Sequence, residues 1–329
     1  MKTFRLLSDT LKVAGAALLF ATSLTAHSQE VVNFGVQPST QPIYIAREAG
    51  LLDPIEKKYN IKIEFQSFAY GAPENQALAA GAIQLASAGM GPAIVAASRL
   101  PAQLLGISIL EQTAIIVPID SPIKTVADLK GANIAFPGRG SQQYPLLLKA
   151  LADNGLTESD ITLFKTNGSN VPGLVGQGSV DAGIVWDPHV SNALASGQAR
   201  VLIKAEDILP LKAGHYIGNG VYGRTDFIET NPELTEDIMV AIIEAIKIVI
   251  DDPNRAIGMW SKSLGFPEEV VRFSIEQGIS VYNTDIVPTA ETIDAYTVFL
   301  KEAGILQEND NPNLATGIAE AAYKRAMAD

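Results

Sequence analysis

Residues 137–151 read PGRGSQQYPLLLKAL, an arginine between two glycines followed by a serine, two glutamines and an apolar run at helical spacing. Glycine on both sides of Arg139 lets the backbone turn tightly and approach a ligand, and Ser141, Gln142 and Gln143 then open the helix. Free amides at a helix start point outward and carry about half a positive charge, so a sulfonate, phosphate or carboxylate placed there is stabilised. Pro145 falls in the first turn, where a missing N–H costs the helix little. The competing account is an ordinary N-cap, with Ser141 satisfying an orphan amide and Arg139 solvated.

Two further stretches place polar or aromatic groups at strand ends. Residues 87–92, SAGMGP, form a glycine turn that opens another helix. Gly89, Met90 and Gly91 there either offer backbone donors to a ligand or serve close helix–strand packing. Trp186 ends the apolar run GIVW, and its indole either walls an apolar site with the N–H free to donate or packs in the core. Asp187, immediately before Pro188, suits a turn better than a ligand contact. Tyr70, Tyr144 and Trp186 are the aromatic groups on which a ring-shaped cargo, an aromatic carboxylate or pyrimidine-type precursor, would stack.

Catalytic and metal chemistry have little to work with. The chain has no cysteine, and of its three histidines only His189 and His215 lie beyond residue 28, so zinc clusters and thiol nucleophiles of the usual form are excluded. No G-x-S-x-G elbow, phosphate-binding P-loop or strand-coupled G-x-G-x-x-G occurs. A binding protein is expected, with no catalytic residues, no metal and no cofactor; the alternative of another class is a periplasmic hydrolase or lyase.

Residues 1–28 carry Lys2, Arg5 and Lys12, then the apolar VAGAALLFATSLTA, then a short small-residue exit, the pattern of a cleaved secretory signal peptide. That run is shorter than the roughly 20 residues a membrane helix needs, so a protein that is not embedded in a membrane, exported to a bacterial periplasm, is expected. Removing Lys2, Arg5, Lys12 and Asp9 takes Lys+Arg from 24 to 21 and Asp+Glu from 36 to 35, for a net charge of about −14. Such a surface argues against nucleic acid and anionic lipid as partners. An anion site must then be local, built from aimed donors.

The elements that position these residues follow from periodicity. From Val31 short β-rich runs alternate with helices begun by proline and closed by glycine, as in PIYIAREAG, which implies a parallel or mixed sheet covered on both faces. About 300 residues suggest two domains. Near residues 104–122 two apolar runs are broken by Glu111 and Gln112, after which a new series starts; long helices are expected over 232–251, 253–264 and 289–303.

The segments IAREAGLL, ALAAGAIQLASAGMGPAIVAASR, IIVPIDSPIKTVADLKGANIAF, GSQQYPLLLKALADNGL and GSVDAGIVWDPHV, in this order and spacing, resemble the periplasmic solute-binding proteins of ABC importers, in the branch that binds taurine and aliphatic sulfonates. The resemblance implies an α/β, two-lobe (type II) fold, each lobe a mixed, mostly parallel sheet flanked by helices with the ligand in the cleft. Lobe one would be residues 29–115 with 214–329, and lobe two 116–213. It further implies a monomer that closes on a small organic anion and delivers it to a permease. By the same resemblance Ser141 to Gln143 contact the anion beside an aromatic at Tyr144. The places that hold carboxylates for an ammonium fall at Gln41 and Asn219, which cannot neutralise one, so an amine-free sulfonate competes with taurine unless Glu64 or Asp226 compensates.

Overall fold

The computed structural model describes residues 29–328; the signal peptide expected over 1–28 lies outside the described residues. Ten strands form two five-stranded sheets. They are β1 (Glu30–Val36), β2 (Ile61–Ser67), β3 (Leu85–Gly89), β4 (Ala102–Ile109), β5 (Thr113–Pro118), β6 (Asn133–Phe136), β7 (Thr162–Lys165), β8 (Ala182–Trp186), β9 (Ala199–Lys204) and β10 (Asn219–Arg224). The first sheet has the order β2-β1-β3-β10-β4 and the second β7-β6-β8-β5-β9. Each repeats one plan: β1 or β6 is flanked by parallel partners, and β10 or β5 runs antiparallel between the third strand and the edge. This is the mixed, mostly parallel α/β arrangement that the alternating pattern implied.

The chain passes from the first sheet to the second in three residues, Leu110 to Gln112, between β4 and β5. It returns through residues 209–218. The two passages are tied together, since the Gly218 N–H bonds the carbonyls of Ile109 and Leu110 at 2.9 and 3.1 Å and Gln112 Nε2 donates to Gly218 O at 2.8 Å. The polar pair that interrupts the apolar runs is therefore the crossing itself.

Burial explains the strand sequences. β2 alternates inward Ile61 and Ile63 with exposed Lys62 and Glu64, the signature of a strand with one covered face. β3 and β8, LASAG and AGIVW, are buried throughout, as central parallel strands with helices on both sides must be. The helices Pro232–Asp251 and Pro253–Leu264 begin at prolines, whose fixed φ suits the first turn. Asp252 and Thr289 cap their helices through side-chain oxygens. Thr125 and Asp128 form a capping box on a 3-10 turn, Val126–Leu129.

One apolar cluster runs through both halves, from Leu78 and Leu104 beside the first sheet to Leu146 and Ile184 in the second, by way of Leu110, Tyr216 and Ile217 in the crossings. The helix Glu268–Glu276 also leaves the first sheet to pack on the helix His189–Ala195. Ile184 is fully buried at the centre of β8, and Ile184→Ala is expected to cost about 2–5 kcal/mol through lost burial and the cavity left behind, measured as a shift in the urea midpoint with an unchanged slope.

Candidate functional site

β3 and β6 end at the same seam between the sheets, each followed by a helix, Met90–Arg99 and Gln143–Asp153. The seam closes because glycine stands where the backbones approach. A Cβ on Gly89 would lie 2.9 Å from Gln142 Cβ, and one on Gly140 would lie 2.5 Å from Ala72 Cβ. Gly91 is also on the seam, its Cβ position 3.6 Å from Gln142 Cα. Outside the carboxyl ends of such strands, at the edge where two units meet, is where α/β sheets hold small ligands.

Six of the expected residues, Tyr70, Gly89, Ser141, Gln142, Gln143 and Trp186, line one space together with Gln37, Gly71, Pro92 and Gln112. It measures about 10 Å³, roughly the room of one water. No charged side chain is among its lining residues. At the helix start, Ser141 N and Oγ both bond Gly138 O, at 3.1 and 2.7 Å, so its hydroxyl caps the turn and not the helix. The amides of Gln142 and Gln143 find no acceptor among the described residues. Gln143 Nε2 bonds Thr113 Oγ1 at 3.1 Å, while Gln142 Nε2 and Gln112 Oε1 are buried without partners. Both readings of the loop hold in part: a turn satisfied by Ser141, and helix amides left open.

Arg139 is not in this space. Its guanidinium faces outward, pairs with Glu158 at 3.1 Å and lies 4.8 Å from the Tyr144 ring centroid, while Tyr144 Oη donates to Glu158 at 2.6 Å. A carboxylate 19 residues on in the chain has taken the arginine of the loop, and Tyr144 goes with it. Met90 turns into the core against Gly220. Asp187 accepts from Ser191 N and Oγ at 3.1 and 2.5 Å, holding the start of the helix His189–Ala195. Gln41 and Asn219 flank Ser87: Gln41 Nε2 bonds its carbonyl at 2.6 Å, and Asn219 Oδ1 accepts from the hydroxyls of Ser87 and Ser108 at 2.7 and 2.8 Å. Neither lines the space. Glu64 pairs with Lys62 and Asp226 with Arg224, so neither supplies a carboxylate to it.

Trp186 lines the space from a packed position, and the N–H expected to be free for a ligand is not. Its Nε1 donates to Pro38 O across the seam at 3.2 Å, and its ring is packed under Gly168 and edge-on to His189 at 5.3 Å. Behind Gln37 lies Glu74, fully buried, accepting from Gln37 Nε2 at 2.7 Å; burial pushes its carboxyl up to about 8. Burial likewise raises Glu111 to about 7 and lowers His189 to about 4. Gln37, Gln112 and Glu74 were not anticipated. The polar break at Glu111 and Gln112 was a usable signal, since a buried crossing without a polar duty would be apolar.

The sequence profile of the NMT1/THI5 like family matches residues 37–256, a stretch that contains every residue lining the space. The chain belongs to the NMT1/THI5 like family. Among relatives of this family, a protein of Escherichia coli (strain K12) named for aliphatic sulfonate binding is 31% identical over 270 residues, covering 80% of this chain and 82% of its own length. The taurine-binding periplasmic protein of the same strain is 26% identical over 276 residues, covering 80% and 78%. The crystal structure of the periplasmic aliphatic sulphonate binding protein SsuA from Escherichia coli superposes with a TM-score of 0.69 at 28% identity, covering 86% of this chain and 88% of that one.

Two predictions follow from the charges around the seam. Glu74 keeps its proton in the folded state up to about pH 8, so its contribution is fully present below about pH 4.5 and declines as pH rises toward 8, by about 1.4 kcal/mol per unit. Glu74→Gln removes that decline, and its urea midpoint should gain on the unmodified protein between pH 5 and pH 9. Because Arg139 is paired outside the space, Arg139→Ala should leave the affinity for an anion within about threefold, as calorimetric titration would show.

Proposed function

We propose that this chain is the periplasmic substrate-binding component of an ABC importer, capturing a small organic sulfonate between two lobes and delivering it to a permease without chemical turnover. The lobes are residues 29–115 with 214–329, and residues 116–213. The observation that carries this reading is the start of the helix Gln143–Asp153: buried, facing Gly89 across the seam, with two backbone amides lacking acceptors. Anions are the natural complement of such an end, because the aligned peptide dipoles and the N–H groups both favour negative charge. Relatives named for sulfonate binding that align over most of their length support the class of cargo.

A lining of amides and no cation suits a delocalised monoanion. Each sulfonate oxygen accepts one or two hydrogen bonds, and the low dielectric of a buried seam strengthens them. A space of about 10 Å³ is smaller than a sulfonate, so loading requires the lobes to part about the crossings at residues 110–112 and 209–218 and then to close again, a hinge motion. An aromatic cargo is less favoured, since the Trp186 ring is covered by Gly168 and His189, and Tyr70 rests on Gly138 and Gly140. A hydrolase is disfavoured because Ser141 Oγ is bound to a carbonyl and neither histidine lines the space.

A panel of sulfonates tests the assignment by thermal melting. A cognate compound at 100 times its dissociation constant should stabilise the protein by roughly 2.7 kcal/mol; melting curves unmoved by taurine, isethionate, alkanesulfonates and aromatic sulfonates alike would remove the sulfonate assignment.

A further inference from the structure

The seam holds an acceptor as well as donors. Gln112 sits in the first crossing and is 3% exposed. Its amide cannot be turned either way at will: Nε2 donates to Gly218 O at 2.8 Å, and the flipped amide would set two carbonyl oxygens against each other at that distance. Oε1 is thereby fixed as the atom without a partner, and the residue lines the same space as Ser141, Gln142 and Gln143. The next residue, Thr113, receives the Gln143 side chain at 3.1 Å, so Gln112 and the residues of the helix start border the same space.

An oxygen acceptor beside an anion site repels an anion that carries only acceptors. A buried carbonyl oxygen left unmet also costs about 1–3 kcal/mol. Both penalties vanish when the bound molecule brings a donor of its own. Resting on the sulfonate reading above, we propose that the cargo is a short-chain sulfonate bearing a hydrogen-bond donor, a hydroxyl or an ammonium, and that Gln112 Oε1 receives that donor while the helix amides hold the sulfonate. Gln112 is then a specificity-determining residue, and its bond to Gly218 serves selection by pinning the acceptor in place.

The test is calorimetric titration of the purified protein with three compounds of nearly one shape: isethionate, taurine and ethanesulfonate. Isethionate or taurine should bind at least about tenfold more tightly than ethanesulfonate, the factor that one satisfied buried acceptor provides; which of the two is preferred tells a hydroxyl from an ammonium. Gln112→Met keeps the shape and loses the acceptor, and should bring that ratio to within about threefold of unity. A ratio does not depend on the general loosening that loss of the Gly218 bond causes. If Gln112→Met does not fold, Gln112→Glu is the second variant, with a rise in the taurine-to-isethionate ratio expected. Equal affinity of the unmodified protein for ethanesulfonate and the donor-bearing pair overturns the proposal while leaving the sulfonate reading standing, as does a preference that survives Gln112→Met. Absence of binding by all three overturns the proposal, and the sulfonate reading falls with it only if the wider sulfonate panel also leaves the melting curve in place.

Discussion

Two backbone amides at the start of the helix Gln143–Asp153 are buried without acceptors, and the surrounding seam is organised about them. Dehydrated N–H groups at the positive end of a helix are costly when left unmet and strongly attractive to negative charge. Keeping them open requires that the protein's own oxygens be occupied elsewhere. Ser141 Oγ is turned back to Gly138 O, Glu158 is held outside by Arg139 and Tyr144, and Asp187 is engaged by Ser191. Of the acceptors around the helix start, Gln112 Oε1 alone among those named is left without a partner.

Closure of the seam then depends on absence of side chains at a few positions. Gly89 and Gly140 bring backbone to within van der Waals distance across the two halves, a contact no other residue permits. Between them the lining is amide, hydroxyl and ring, with no formal charge. In an acidic protein this places recognition in oriented dipoles instead of a counter-ion. Dipoles hold their direction because they are pinned at the far end: Gln37 by Glu74, Gln112 by Gly218, Gln143 by Thr113. Such a site selects by geometry, and salt screens it far less than an exposed ion pair.

The ionisable groups nearest the seam are pushed toward their neutral forms by the same burial. Glu74 and Glu111 are raised and His189 is lowered, all three by desolvation, so at neutral pH Glu74 and His189 are largely uncharged and Glu111, at about 7, is half ionised. The proposed receptor thus separates two tasks. Its acidic exterior keeps it apart from anionic surfaces, and its seam, with no charged side chain in the lining, lets one short helix end set the sign of what is held.

The alternation of strands and helices, the long helices at Pro232–Asp251 and Pro253–Leu264 and the crossing at Glu111 and Gln112 were legible in the sequence, because periodicity, proline starts and a polar break are local properties of the chain. So was the helix start at Ser141 to Gln143. Partnership was not legible. Arg139 lies beside that start in sequence, yet Glu158, 19 residues on, draws it out of the seam; Gln41 and Asn219, which the resemblance implies as ligand contacts, are engaged by Ser87 instead. Gln37, Gln112 and Glu74 enter the site only because β1, the crossing and the helix Gly71–Ala79 are brought together in space. A side chain's type is fixed by the sequence, but which of its hydrogen bonds remain open is decided by neighbours that only the tertiary fold supplies.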